Sequence, residues 1–163
     1  MKATLLYCEG NLSGAEDAYL EALREARAAG FVGHVTNSLI NLGWIAARRG
    51  DAEALRERLF GLVETGFGER QAGSSVVVLE LFALYAALSD SLDLAVRFHG
   101  AARGLAARID FVIEPGDAAA IDPIMERVRS TLGAAKFEAS VAGSWNEDPV
   151  RLREFAVDWL KAT

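Results

Sequence analysis

The sequence contains one cysteine, two histidines and three prolines in 163 residues, and each scarcity closes off a class of protein. Cys8 alone cannot form an internal disulfide, which excludes disulfide-stapled secreted domains and fits a reducing, cytoplasmic setting. His34 and His99 lie far apart, and neither has a second ligand at a spacing such as H-x-x-x-H or H-E-x-x-H. No metal or other cofactor is expected. Positive charge is also short: 17 Lys and Arg stand against 23 Asp and Glu, for a net charge of −6. Binding nucleic acid directly, or an anionic membrane surface, requires a basic face that this chain does not offer. No basic segment followed by an apolar run and a small-residue cleavage site opens the sequence, so a secretory leader is not expected. The longest apolar run, "AGSSVVVLELFALYAALS" from Ala72 to Ser89, has Glu80 at its middle. It reads as a central buried helix and not as a membrane span.

What the chain has in quantity is alanine, leucine, glutamate and arginine, the residues that cost a helix least. With 52% hydrophobic and 25% charged residues it is globular. Apolar periodicity and breakers place helices at about 2–9, 13–29, 34–49, 52–65, 72–88, 92–108, 118–131, 134–142 and 148–161. Gly30, Gly66 to Gly68 and "EPGD" at Glu114 to Asp117 are the main interruptions. "VVVL" at Val76 to Leu79 is β-prone, but it sits inside a long helical run, and no strand is expected.

Three segments align when the chain is shifted by forty: "LYCEGNLSGAEDAYLEAL", "AARRGDAEALRERLFGLV" and "AALSDSLDLAVRFHGAAR". Gly10, Gly50 and Asp90 coincide, each followed by a polar residue that can cap the next helix. Leu6, Ala46 and Ala86 coincide before the turn, and Ala15, Leu55 and Ala95 after it. Each unit is therefore an apolar helix, a tight turn and an amphipathic helix. The fold class is all-α: one TPR-like α-solenoid of antiparallel helix pairs over about 1–30, 31–70 and 71–110, closed by capping helices over 117–163. Leu5, Leu6 and Tyr7 look uncovered at the N-terminal end. Either the chain belongs to something longer, or a second copy covers that end in a homodimer.

"RFHGAARGLAARIDF" puts Gly100 and Gly104 inside a strong helix, beside His99. Each costs roughly 1 kcal/mol relative to alanine there. Close helix packing is the favoured compensation, and a small-residue ligand groove the alternative.

"LAVRFHGAARGLAARIDFVIEPGD" followed by "MERVRSTLGAAKFEASVAG" resembles the C-terminal end of helical-repeat regions in large bacterial regulators. These are STAND-type ATPases and LuxR-type transcriptional regulators, related arrays also occurring with cyclase domains. Arg97, Gly100, Ala101, Ala102 and Leu105 match one helix of that pattern; Pro115, Arg129, Leu132, Gly133, Phe137 and Gly143 match the loop and helix after it. The chain has no phosphate-binding G-x-x-x-x-G-K-[ST], so the ATPase part is absent. The resemblance implies a non-catalytic protein-interaction or signal-sensing module, whose partners are a protein, a peptide or other domains of the same regulator.

No local feature selects a catalytic set. Carboxylates such as Glu53 and Glu57 alternate with arginines as solvated helix faces, and Cys8 reads as a buried helical thiol. A partner face is placed on the first helix of a pair, where Asn37, Asn41, Trp44 and Arg48 recur at turn spacing. The asparagines suit hydrogen bonds to a bound chain, or equally caps and bridges to neighbouring helices. The alternative function is a small-effector pocket between inner helices near Trp44, Tyr85 and His99.

Overall fold

A computed structural model describes residues 2–66 and 72–163. Among them the chain is all-helical, with α1 Lys2–Cys8, α2 Leu12–Ala29, α3 Val32–Arg49, α4 Ala52–Glu64, α5 Ala72–Leu88, α6 Leu92–Ile109, α7 Pro115–Leu132, α8 Ala134–Ser144 and α9 Pro149–Ala162. Of the break expected at Gly66 to Gly68, Gly66 is left-handed at φ +67°. Phe67 and Gly68 lie outside the described residues. The largest boundary difference is α7, which starts three residues earlier than its periodicity suggests. Glu114 is extended (φ −66°, ψ 147°) and Pro115 takes the first helical position, where its missing N–H costs nothing. At α9 the Asp148 carboxylate accepts from the Val150 amide at 2.9 Å, with Pro149 opening the helix as read from sequence.

The turn closing the first pair of helices occurs three times. Gly10, Gly50 and Asp90 are all left-handed, at φ +79°, +70° and +60°. The amide after each donates back across the turn: Asn11 to the Leu6 carbonyl at 2.9 Å, Asp51 to Ala46 at 3.0 Å and Ser91 to Ala86 at 2.8 Å. The carbonyls of Asn11, Asp51 and Ser91 then start the next helix by accepting from Ala15, Leu55 and Ala95. Donor and acceptor move together by forty residues, and Ala15, Leu55 and Ala95 are each fully buried. This is the helix-ending motif in which a left-handed residue satisfies otherwise orphaned carbonyls.

Consecutive helices from α1 to α6 pack on one another, and α5 also touches α3, α7 and α9. That central position explains why α5 is apolar all round: Val76, Leu79, Leu81, Phe82, Ala83, Leu84 and Ala86 have no exposed surface. No described helix is long and apolar enough to cross a membrane. After α6 the chain turns back. α7 lies against α3, α5 and α6, and its N-terminal end reaches α1, where the Tyr7 hydroxyl donates to the Gly116 carbonyl at 3.0 Å. Tyr7 is therefore buried, and Leu6 half-buried; of the three residues that look uncovered in the sequence, only Leu5 is exposed, at 59%.

α8 explains the glycines of α6. A β-carbon at Gly100 would fall 2.8 Å from the Val141 carbonyl oxygen and 2.9 Å from its Cα. At Gly104 it would lie 2.7 Å from the Trp145 carbonyl carbon, overlapping the oxygen outright. Two arginines bracket this contact. Arg97 donates to both Glu147 carboxylate oxygens (2.8–3.1 Å), and Arg108 to the Trp145 carbonyl at 2.7 Å. The stretch Arg97 to Arg108 is thus the seat on which the end of α8 rests, and close packing accounts for both glycines.

Gly104→Ala gains about 1 kcal/mol of helix propensity but must push α8 off its seat, an overpacking cost of roughly 1–3 kcal/mol or more. We expect a lower Tm than wild type, while Gly143→Ala, whose new methyl meets nothing within 4 Å, holds or raises it. Thermal unfolding in which Gly104→Ala is as stable as wild type would contradict this packing.

Candidate functional site

Asn37, Asn41, Trp44 and Arg48 share one stripe of α3 by helical spacing, but they do not form one open face. Asn37 is exposed and Asn41 half-buried. The Asn41 amide donates to the Asn37 carbonyl oxygen at 2.8 Å, so part of its bonding capacity is spent inside its own helix. Trp44 is 2% exposed, which corrects its reading as an exposed contact residue. α3 is packed by α2, α4, α5 and α7, and the large apolar indole gains most by lying within that cluster. Arg48 is exposed at the far end of α3. Its guanidinium lies over the Tyr7 ring, 4.9 Å from the centroid, with Nη1 3.4 Å from the Tyr7 carbonyl oxygen.

The same stripe therefore has two accessible ends. Around Asn37 a cleft of about 530 Å³ opens between α1, α2 and α3, lined among others by Thr4, Tyr19, Phe31, His34 and Ser38. Phe31 and Val32 are exposed at 61% and 59%. The left-handed Gly30 closes α2 there, and the Phe31 ring meets the His34 ring edge-on, with centroids 6.0 Å apart. Around Arg48 a second cleft runs between α3 and α7.

Tyr85 and His99 each pack against a different C-terminal helix. Tyr85 is 5% exposed; its ring stacks obliquely on Trp159, with centroids 5.3 Å apart, and its hydroxyl lies 3.2 Å from Thr163 Oγ1. His99 Nδ1 lies 2.8 Å from Glu80 Oε2, and its ring faces Phe137 of α8. Glu80 is 1% exposed, with Oε1 unpartnered. A buried carboxyl group needs a hydrogen-bond partner, and the His99 ring nitrogen is one. Sequence reasoning used Glu80 only as the charge that interrupts an apolar run. The same charge signalled a buried partner, but the partner is nineteen residues on and nothing local points to it.

The junction of α1 and α7 holds a half-buried carboxyl. Asp117 is raised from 3.8 to about 6, mainly by burial and secondarily by the Glu114 carboxylate. Burial also raises the Tyr7 hydroxyl, against the opposing pull of Arg48, and the Tyr19 hydroxyl, which pairs with Thr4 Oγ1 at 3.0 Å. Among the described residues, no group of three or more His, Cys, Asp or Glu side chains could hold a metal ion. The two clefts at the ends of the α3 stripe and the paired groups inside the core are thus separate features of the structure.

Compared with known proteins, the chain matches no family model, no curated protein and no solved structure.

Asp117 gives a pH prediction with a definite sign. Its folded-state pKa lies above the unfolded value, so the native state holds the proton more tightly, and stability falls as pH rises from about 4 through 6. Asp117→Asn removes that loss. Its Tm should exceed wild type at pH 7.5 by about 2–4 °C, the shift of roughly 1 kcal/mol, and approach it at pH 4. A variant less stable than wild type at pH 7.5 would contradict the assignment.

Proposed function

We propose that the chain is a non-catalytic interaction and sensing module built as a TPR-like array, of the kind found in bacterial STAND-type and LuxR-type regulators. The observation that carries this reading is the turn repeated at Gly10, Gly50 and Asp90 with its hydrogen bonds in step. A helix pair that cannot bury its apolar face alone stacks on the next, and the surfaces left over serve recognition. The matched residues Arg97 and Gly100 belong to the seat for α8, which supports the resemblance as one of architecture.

In such an array the first helices of the pairs line the face that receives a partner. Here α7 already lies on α3 and α5. The partner face is consequently the N-terminal end of α3, where Asn37 borders the cleft and Phe31 and Val32 present apolar surface. An exposed aromatic lining the cleft, with an exposed branched side chain next to it in the chain, is suited to anchoring a protein segment.

A photo-crosslinking residue placed at Asn37 in the producing cell tests this. It should yield one discrete protein adduct, lost on Phe31→Asp, while the same residue at exposed Glu57 yields none. Equal adducts from both positions, or none from Asn37, would contradict the proposed face.

A further inference from the structure

The cleft at the other end of α3 carries a different chemistry. It measures about 530 Å³ and lies between the C-terminal turn of α3 and the middle of α7. Three arginines line it, Arg48, Arg49 and Arg127, and no carboxylate does, in a chain whose net charge is −6. Arg49 is neutralised by Glu16 and also donates to Ser13 Oγ at 3.1 Å. Arg48 meets the ring, the carbonyl and the hydroxyl of Tyr7, none of which carries a charge that cancels its own. Arg127 is exposed and has no ion-pair partner among the described residues. The nearest acidic residues in sequence are Asp51, whose carboxylate caps the Ala54 amide at 3.0 Å, and Asp122 and Glu126 on α7; none of these lines the cleft. Two guanidiniums from two different helices, neither in an ion pair among the described residues, thus line one space, and Arg127 also borders an adjoining cleft with Asp90.

Pro123 adds a second, independent feature. It lies inside α7 and has no N–H, so the Ala119 carbonyl cannot receive its usual bond from four residues on. Ala119 and Pro123 both line this cleft. The cleft lining thus includes the residue whose carbonyl loses that bond, with apolar walls from Ala47, Ala120 and Ile124.

We propose that this cleft binds a small hydroxylated oxyanion, a carboxylate or phosphate. The anionic group would lie between Arg48 and Arg127, and a hydroxyl would donate to the Ala119 carbonyl. Arginine suits the role because each guanidinium offers paired donors matched to two oxygens of such a group. The ligand bridges α3 and α7 and thereby favours the arrangement in which α7 lies on the inner helices. This site is independent of the partner face at Asn37, and either can fail alone.

Titration calorimetry at constant ionic strength, with glycerate, glycerol 3-phosphate and inorganic phosphate as probes, tests the proposal. At least one hydroxylated probe should bind saturably, glycerol 3-phosphate more tightly than inorganic phosphate. Whether glycerate or glycerol 3-phosphate binds more tightly identifies the anionic group. Arg127→Gln, on an exposed side chain that the fold does not need, should weaken binding at least about tenfold, the factor expected for losing one charge-assisted contact. Arg127→Lys should recover part of the affinity, and Arg103→Gln on the exposed side of α6 should leave it unchanged. No saturable binding by any probe, or equal affinity in wild type and Arg127→Gln, would overturn the site.

Discussion

The structure depends on one backbone constraint, a residue held in the left-handed region at the end of a helix. At Gly10, Gly50 and Asp90 this conformation sends the chain back on itself and uses up carbonyls that the helix leaves orphaned. Each following helix can then lay its inner position, Ala15, Leu55 or Ala95, fully into the core. Left-handed residues at Gly30 and Asp110 close the intervening helices, with the amides of Phe31 and Phe111 donating to the Ala26 and Ala106 carbonyls at 2.9 Å. Without these reversals the apolar faces would have no partner within reach, and none of the later packing could form.

The last three helices complete what the pairs begin. α8 is seated on the glycines of α6, α9 packs on α4, α5 and α6, and α7 returns across α3 and α5 to Tyr7 in α1. This fold-back ties residue 7 to residue 116 and leaves the inner helices accessible chiefly at their ends. One end is apolar, with an amide-bearing side chain at its rim. The other is cationic, in an otherwise acidic chain. Both ends belong to α3.

Much of the fold was legible because it rests on local rules. Helical period, capping residues and left-handed turns act over a few neighbours, and helix ends at Arg49, Leu88 and Pro149 fall within a residue of those expected. The glycines at 100 and 104 announced a close approach, though not that α8 would make it. What the sequence hid was long-range. Trp44 lies on the same helical stripe as exposed Asn37 and Arg48, and only the surrounding helices decide that the middle of the stripe is buried while its ends stay wet. Of the site residues, Arg48 was reached by spacing, whereas Arg127 was not. Its role depends on which turn α7 passes, and no periodicity encodes that.

The repeated turn can be measured directly by opposite substitutions. Gly50 has open space around the position of a β-carbon, so Gly50→Ala introduces no clash and reports only the cost of φ +70° to a side chain. Asp90 already bears that cost at φ +60°. Urea denaturation should show Gly50→Ala losing about 1–2 kcal/mol and Asp90→Gly gaining up to about 1 kcal/mol. Changes of the same sign at the two positions, or no loss at Gly50, would contradict a shared left-handed turn and the stacking that follows from it.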